Sequence, residues 1–249
     1  IKNHPVWYIK GNTYLFKILF IYGSIKGIEK RFEKFESIVK SDAFIHNENS
    51  QSLIFLNYYN TKMNLYFITG DFFNGTKMIP ELEIKIEKHR DKIDEHHFLV
   101  LYLKIAAMFF GSKNYQNTVK YGQKIINSKG NVQEDLLFHT RILMLMAKFE
   151  SGFDDDYDDF VKATMKFAKK MKNPGDLHFS IVNFFKKIND RNPKDQAIAF
   201  KEFEKELEIS SQNKYDKRTL MYIDIHGWVT SKVRNVDVIE IIKEKVKLK

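Results

Sequence analysis

Helical periodicity runs through almost the whole chain and is the feature that most constrains its fold. Apolar side chains recur three, four and seven residues apart, and no segment alternates strictly between apolar and polar residues. This is the pattern of amphipathic helices and not of strands. Residues that break helices are scarce, since the 249 residues include only 4 Pro and 11 Gly but 22 Phe and 12 Tyr. The sequence therefore predicts an all-α fold, with more than roughly 60% helix and no sheet.

Short breaks separate the periodic segments, at residues 23–26, 70–75, 111–113, 152–155, 172–175 and 189–192. Each break is as long as the turn between two neighbouring helices, and turns this short make the neighbours antiparallel. The breaks predict helix pairs over residues 12–22 with 26–40, 49–69 with 76–92, 94–110 with 114–127, 133–149 with 156–171, 175–187 with 193–208, and 216–232 with 237–246. Asp94, Asn114 and Pro193 stand at predicted helix starts, and Pro80 must lie within the first two turns of its helix.

The helix pairs repeat along the chain. A bulky residue ends the first helix of five successive pairs, at intervals of 44, 43, 40 and 39 residues: Tyr22, Tyr66, Phe109, Phe149 and Ile188. A single helical hairpin cannot bury its apolar side, so successive hairpins stack into a curved solenoid. We therefore predict a single domain over residues 1–249.

The third pair resembles a tetratricopeptide (TPR) repeat. Its residues match the spacing of the family's first aromatic, leucine, small and two tyrosine positions: Tyr102, Ile105, Ala106, Phe109 and Tyr115. Three later positions depart from the family pattern: Thr118, Gly122 and Ile125. The fourth pair repeats the scheme: Ile142, Leu145, Met146 and Phe149. In this register Phe109 is predicted to pack on Tyr115 across the turn of one hairpin.

Two segments, residues 141–170 and 222–245, are similar to a group of TPR-like chains of the Bacteroidetes. Together the resemblance covers about two thirds of the sequence, and its motifs are core-packing positions. It implies antiparallel helical hairpins stacked as a TPR-like right-handed solenoid, in a bacterial, cytoplasmic scaffold without an assigned activity. A resemblance of this kind bears on the fold far more than on the function.

Composition argues against several kinds of site. The chain has no cysteine, which excludes disulfides, zinc–thiolate sites and thiol nucleophiles. Its glycines form no phosphate-binding loop, and no H-E-x-x-H motif is present. The net charge of +9 is spread thinly, with acidic residues beside most lysines, so nucleic-acid binding is not predicted. No apolar run reaches the ~18 residues of a membrane helix.

Two polar clusters could in principle bind a metal ion. Three histidines lie among acidic residues: His89, His96 and His97. Zinc would need these imidazoles to converge, whereas positions at helix ends explain them without a metal. The acidic run of Asp154, Asp155, Asp156, Asp158 and Asp159 lacks the glycine and distal glutamate of a calcium loop, and acidic residues suit a helix start. We predict no catalytic residue, no metal and no cofactor, and interpret His139 and His226 as packed side chains.

Three asparagines form a polar stripe on an otherwise apolar helix: Asn57, Asn60 and Asn64. Their spacing puts them on one face, and asparagine is a poor helix former, so the stripe needs a reason. If the neighbouring aromatic residues pack within the hairpin, the stripe lies on or near the inner, concave surface, where amides can bind a peptide backbone. The alternative is a solvated helix face.

The predicted function is a non-enzymatic scaffold whose concave groove binds a protein or peptide, with Asn57, Asn60 and Asn64 as candidate contacts. The alternative is a regulatory or sensor region of a larger protein whose missing N-terminal part carries catalysis or nucleic-acid binding. We expect the chain, which begins at Ile1, to be a piece of a longer protein. An enzyme within these residues is the third hypothesis.

Overall fold

The chain is helical throughout the part that its computed structural model describes, residues 4–22, 24–41, 44, 48–130, 132–152, 155–189, 192–211 and 224–247. Helices hold 84% of these residues and strands hold none, so the all-α prediction is confirmed for them. In chain order the helices are α1 (Pro5–Tyr22), α2 (Ile25–Val39), α3 (Glu48–Thr69), α4 (Phe72–Lys77), α5 (Ile79–His89), α6 (Glu95–Gly111), α7 (Tyr115–Ile126), α8 (Glu134–Glu150), α9 (Tyr157–Ala168), α10 (Asp176–Asn189), α11 (Pro193–Ser211), α12 (Ile225–Arg234) and α13 (Val238–Lys247).

Local sequence signals place most helix starts close to where they are predicted. The Asn114 side chain accepts a hydrogen bond of 3.2 Å from the backbone N–H three residues later, and Asp94 does the same at 3.1 Å before α6. Pro193 is the first residue of α11, and Pro80 lies in the first turn of α5. Each side chain satisfies or removes an N–H that has no partner within its helix.

Two predicted helix boundaries are wrong. Helix α1 begins at Pro5 and not at residue 12. Asn12 fits inside it because its Nδ2 donates to the Tyr8 carbonyl at 2.8 Å and its Oδ1 accepts from the Arg31 guanidinium. The helix predicted over residues 76–92 is interrupted after Lys77, since Pro80 lacks the N–H that would continue the ladder. The predicted start at residue 216 lies outside the described residues.

Contacts between helices divide the chain into two compact units, Ile1–Leu101 with Ile242–Lys249, and Tyr102–Ile241. The single-domain assignment stays a prediction. In the first unit α1 packs on α2 and α3, α2 packs on α3, and α3 packs on α4 and α5. Phe16 and Phe35 meet edge to face at 5.7 Å in its core, together with Phe32. Aromatic side chains of this size dominate the energy of a small core.

In the second unit α7 packs on α8, α8 on α9 and α10, α9 on α10, α10 on α11, and α11 on α12. Gly122 permits the close approach of α7 to α8, because a Cβ there would lie 2.6 Å from Met144 Cγ. An aromatic cluster surrounds Trp228, whose side chain is almost fully buried. Phe184 and Phe203 stack beside it at 4.1 Å.

Side-chain contacts identify antiparallel hairpins. In the α8–α9 pair, Arg141 lies over the Phe167 ring near one end, and Lys148 pairs with Asp156 near the other. The same reversal appears in the contacts of α3 with α5 and of α10 with α11. The prediction that short turns join antiparallel neighbours is therefore confirmed for the α8–α9 and α10–α11 pairs, whereas α4 lies between α3 and α5.

Phe109 does not pack on Tyr115, and this detail of the predicted register is wrong. Phe109 is half-buried and stacks on Tyr121 at 5.5 Å, whereas Phe110 contacts Tyr115 at 5.7 Å. The turn reverses at Lys113, which has a left-handed φ of 63°. The first residue of α7 therefore meets the last turn of α6 one residue further along than the repeat pattern indicates.

Candidate functional site

The predicted asparagine stripe is half-buried on α3. The Asn57 Nδ2 donates to the Leu53 carbonyl at 2.8 Å, and its Oδ1 accepts a hydrogen bond from the Thr13 hydroxyl of α1. The Asn60 Nδ2 likewise donates to a carbonyl of its own helix at 2.8 Å. Asn57 therefore links α1 to α3. The two interpretations of the stripe from the sequence, a peptide-binding surface and a solvated helix face, do not include this contact. Partner binding by Asn57, Asn60 and Asn64 stays a prediction.

His89 near the end of α5 and His97 at the start of α6 have separate contacts, and the rings of His96 and His97 lie 5.9 Å apart. The His89 ring stacks on Phe55 at 4.8 Å and lies 3.2 Å from the Ser52 hydroxyl, and burial, with nearby lysines, lowers the pKa of His89. The Nδ1 of His97 lies 2.5 Å from the Asp94 carboxylate. Across the described ranges of the chain, no three His, Asp or Glu side chains are arranged to hold a metal ion.

His139 is a core residue, 3% exposed. Burial, together with the neighbouring His178, lowers the pKa of His139 to about 4. His226 is half-buried in α12, and its buried Nε2 has no hydrogen-bond partner among the described residues. The interpretation of His139 as a packed histidine is confirmed.

The acidic run joins α9 to its neighbours. Asp154 lies outside the described residues. Asp156 pairs at 2.6 Å with Lys148, whose side chain is only 6% exposed, and Asp158 accepts a hydrogen bond of 2.6 Å from Asn189 at the end of α10. These carboxylates are directed to different helices and not to a common point, so they have structural roles.

A groove of about 820 Å³ lies along α9 and α10. The two helices are held together at one end because the buried Tyr157 hydroxyl donates a 3.2 Å hydrogen bond to the Phe185 carbonyl. Burial raises the pKa of Tyr157, which keeps this hydroxyl a donor. Val161, Met165 and Phe179 supply the apolar part of the lining.

Five lysines also line this groove, which we call the basic groove: Lys162, Lys166, Lys169, Lys170 and Lys186. Lys162 and Lys166 lie one turn apart on the same face of α9, and Lys169 and Lys170 follow directly after its last residue, Ala168. Lys162 pairs with Asp159 at 3.1 Å. The other four are exposed and form no ion pair with a described residue. Uncompensated charges at a groove attract ligands of the opposite sign.

A smaller cavity of about 400 Å³ near the α6–α7 turn differs in its electrostatics. Four of its charged side chains face each other in pairs, since Lys113 lies 2.6 Å from Asp237 and Lys232 lies 2.5 Å from Glu150. Hydrogen bonding to Asp237 raises the pKa of Lys113. Paired charges hold helices together and leave little for a ligand, so the basic groove is the candidate functional site.

The prediction that charge is spread evenly missed the basic groove. A signal was present in the sequence, because Lys166 follows Lys162 by four residues, and Lys169 and Lys170 follow Lys166 by three and four. Helical spacing alone does not show which residues of α10 lie opposite, and it is this pairing of helices that adds Phe179 and Lys186.

No protein family, no curated protein and no solved structure matches this chain. None of the helices in the described ranges has both the length and the apolar character needed to cross a membrane.

Proposed function

We propose that this protein is a non-enzymatic scaffold, a TPR-like solenoid of helical hairpins, that binds an acidic segment of a partner protein in the basic groove. The observation that carries this proposal is the pairing of four lysines that lack carboxylate partners with an apolar lining. The exposed lysine ammonium groups can pair with carboxylates of a ligand, and the apolar side chains beside them can be buried under it.

The chemistry of the lining defines the partner segment. Lys162, Lys166 and Lys169 cover about 10 Å of the helix, at 1.5 Å per residue. An amphipathic helix with Asp or Glu three or four residues apart presents carboxylates at the same spacing. Its apolar side chains would cover Met165 and Phe179. Helix-in-groove binding of this kind is a common mode of peptide recognition.

A protein segment fits this lining better than a nucleic acid does. Surfaces for single-stranded nucleic acids usually combine cations with several aromatic stacking platforms and with arginine. The basic groove contains Phe179 as its aromatic residue and only lysines as its cations.

The packing of the helices supports the scaffold part of the proposal. Most contacts join a helix to the next one in the chain, and α1 with α3, α3 with α5 and α8 with α10 also pack as next-but-one neighbours, which is how hairpins stack in helical-repeat proteins. Such arrays bind partners through extended concave surfaces.

Fluorescence anisotropy tests the proposal with a labelled helical peptide that has glutamates four residues apart and leucines between them. We expect saturable binding that weakens with salt, because exposed charges are screened. Replacing Lys166 and Lys170 by Glu should weaken binding by about tenfold or more. The matched control replaces Lys201 and Lys205, exposed on α11 at the same spacing, and should bind as the wild type does.

Three further probes separate the alternatives. A peptide with glutamine for glutamate, and one with serine for leucine, should each bind weakly. If replacing Lys201 and Lys205 weakens peptide binding as much as replacing Lys166 and Lys170 does, the attraction is nonspecific and the groove is not the binding site. Tighter binding of a single-stranded uridine oligonucleotide, lost with Lys166 and Lys170, would assign the groove to nucleic acid instead.

A further inference from the structure

Three charged side chains follow one another seven residues apart along the side of α8 that packs on α9: Glu134, Arg141 and Lys148. The outer two bind polar groups just beyond the two ends of α9. Glu134 accepts a 2.9 Å hydrogen bond from the backbone N–H of Lys172, and Lys148 pairs with Asp156 at 2.6 Å. Arg141, in the middle, forms no hydrogen bond or ion pair with a described residue.

Two phenylalanine rings of α9 surround the Arg141 guanidinium where a carboxylate would be expected. Its central carbon lies 5.8 Å from the Phe160 ring centre and 5.0 Å from the Phe167 ring centre. The Nε is buried and has no hydrogen-bond partner in the described part of the chain, and burial lowers the pKa of Arg141. Aromatic faces attract a cation, but they do not replace the oxygen acceptors that the five N–H groups of a guanidinium prefer.

The neighbouring helices offer Arg141 no acidic side chain. Helix α7 contains no Asp or Glu, α8 has acidic residues only in its first turn and at its last residue, and α9 has none after Asp159. Asp159 itself pairs with Lys162 at 3.1 Å. A partly buried charge without a counterion costs free energy. A bound anion would remove this cost.

We propose that Arg141 binds the carboxylate of a ligand whose apolar body packs on Phe160 and Phe167. All three side chains are half-buried, so a ligand can reach them from solvent. A single arginine can hold a carboxylate through two parallel hydrogen bonds. One guanidinium balances one negative charge, and Asp156 already neutralises the nearby Lys148. A monocarboxylate therefore fits better than a phosphate dianion, which would keep an unbalanced charge beside the two rings.

We call Arg141, Phe160 and Phe167 the arginine site, and it does not depend on the basic groove. None of its three side chains belongs to the lining of that groove. It uses one guanidinium between two rings, whereas the groove uses several lysines. The carboxylate can belong to a free organic acid or to an acidic residue of a polypeptide, because both present the same group.

Isothermal titration calorimetry of the full chain with phenylacetate tests the proposal. We expect saturable binding that Arg141→Met weakens by about tenfold or more, because methionine keeps an apolar stem and removes the charge. Phenylacetamide, the uncharged analogue, should lose about as much affinity. The matched control is Lys148→Met, which removes the other cation beside the Phe160 ring and should leave phenylacetate binding unchanged. Binding that survives in Arg141→Met would overturn the proposal.

Thermal unfolding distinguishes a ligand site from a purely structural cation. Phenylacetate should raise the melting temperature of the wild type and not that of Arg141→Met, because a ligand stabilises only the state that binds it. Without ligand, Arg141→Met should melt at the wild-type temperature or above it, since the unpaired charge is gone. A lower melting temperature of the variant, with no response of the wild type to phenylacetate, would mean that Arg141 only holds the two rings and would overturn the proposal.

Two further titrations identify the source of the carboxylate. The first uses a peptide with blocked ends and a single glutamate between leucines. Peptide binding that is tighter than that of phenylacetate, and is lost in Arg141→Met, would assign the carboxylate to a polypeptide, and weaker binding would assign it to a free organic acid. The second uses inorganic phosphate, and tighter binding of phosphate than of phenylacetate through Arg141 would overturn the choice of a carboxylate.

Discussion

The indole Nε1 of Trp228 donates a 2.6 Å hydrogen bond to the Glu150 carboxylate, 78 residues earlier in the chain. The other carboxylate oxygen accepts a 2.7 Å hydrogen bond from Lys232, one turn further along α12. Glu150 is only 15% exposed at its side chain. One carboxylate at the end of α8 therefore satisfies two donors of α12 and anchors that helix beside the aromatic cluster.

Loss of this carboxylate should be costly. Glu150→Ala leaves the indole N–H and the partly buried Lys232 without their acceptor, and we expect the free energy of unfolding to fall by about 2–4 kcal/mol. Urea unfolding followed by circular dichroism measures this. Glu87→Ala is the control, because the Glu87–Arg90 pair is well exposed and should change stability by less than about 1 kcal/mol. Equal effects in the two variants would contradict the anchoring role.

The Phe109–Tyr121 stack should be measurable as a coupling energy. Phe109 is half-buried, so Phe109→Ala should cost about 1–2 kcal/mol. A double-mutant cycle with Tyr121→Ala should give a coupling of about 0.5–1.5 kcal/mol. The same cycle of Phe109 with Tyr115 should give a coupling near zero, and a large value there would restore the register predicted from the repeat pattern.

Acid should destabilise the second unit through His139. Its folded pKa of about 4 lies below the ordinary value of 6.5, so the unfolded state binds more protons between these pH values. The contribution of His139 to the free energy of unfolding is then fully present above about pH 6.5. It is lost as pH falls toward 4, by up to about 3 kcal/mol. Unfolding measured at several pH values should show a shallower acid slope for His139→Gln. An unchanged slope would mean that other groups cause the acid sensitivity.

Asn57→Ala separates a structural role from a partner-binding role. The Thr13 hydroxyl would lose its acceptor on α3, although the Ile9 carbonyl lies within reach at 3.0 Å, and alanine favours the helix. We expect a net cost of about 0.5–1 kcal/mol. When Asn57→Ala is combined with Thr13→Val, it should cost nothing beyond Thr13→Val alone, since the Thr13→Val variant already lacks the hydrogen bond. Unchanged stability with weaker partner capture would instead support the predicted role of the stripe.

The sequence predicts those features that depend on neighbouring residues. The caps at Asp94 and Asn114 and the start at Pro193 depend on chemistry within a few residues, so their positions follow from the sequence directly. Asn12 is different, because its place inside α1 depends on Arg31 of the next helix. A polar residue that looks like a helix break can therefore be satisfied by a partner that local patterns do not identify.

The site depends on contacts over longer distances, and less of it could be predicted. The lysine spacing on α9 is visible in the sequence, but the apolar lining comes from two helices. The register error at Phe109 has a similar cause, since a single left-handed residue, Lys113, changes which aromatic rings meet. Repeat patterns define which helices pair more reliably than which side chains touch.

The close approach at Gly122 has a consequence for how this protein can vary in evolution. Because a methyl group at residue 122 would overlap Met144, a larger residue there requires a smaller one on α8. The larger residue alone would push the two helices apart at a cost of about 1–3 kcal/mol, and the smaller residue alone would leave a cavity. Gly122→Ala should therefore be rescued by Met144→Ala or a similar reduction. Among relatives of this chain, we expect the residues at these two positions to covary, small opposite large.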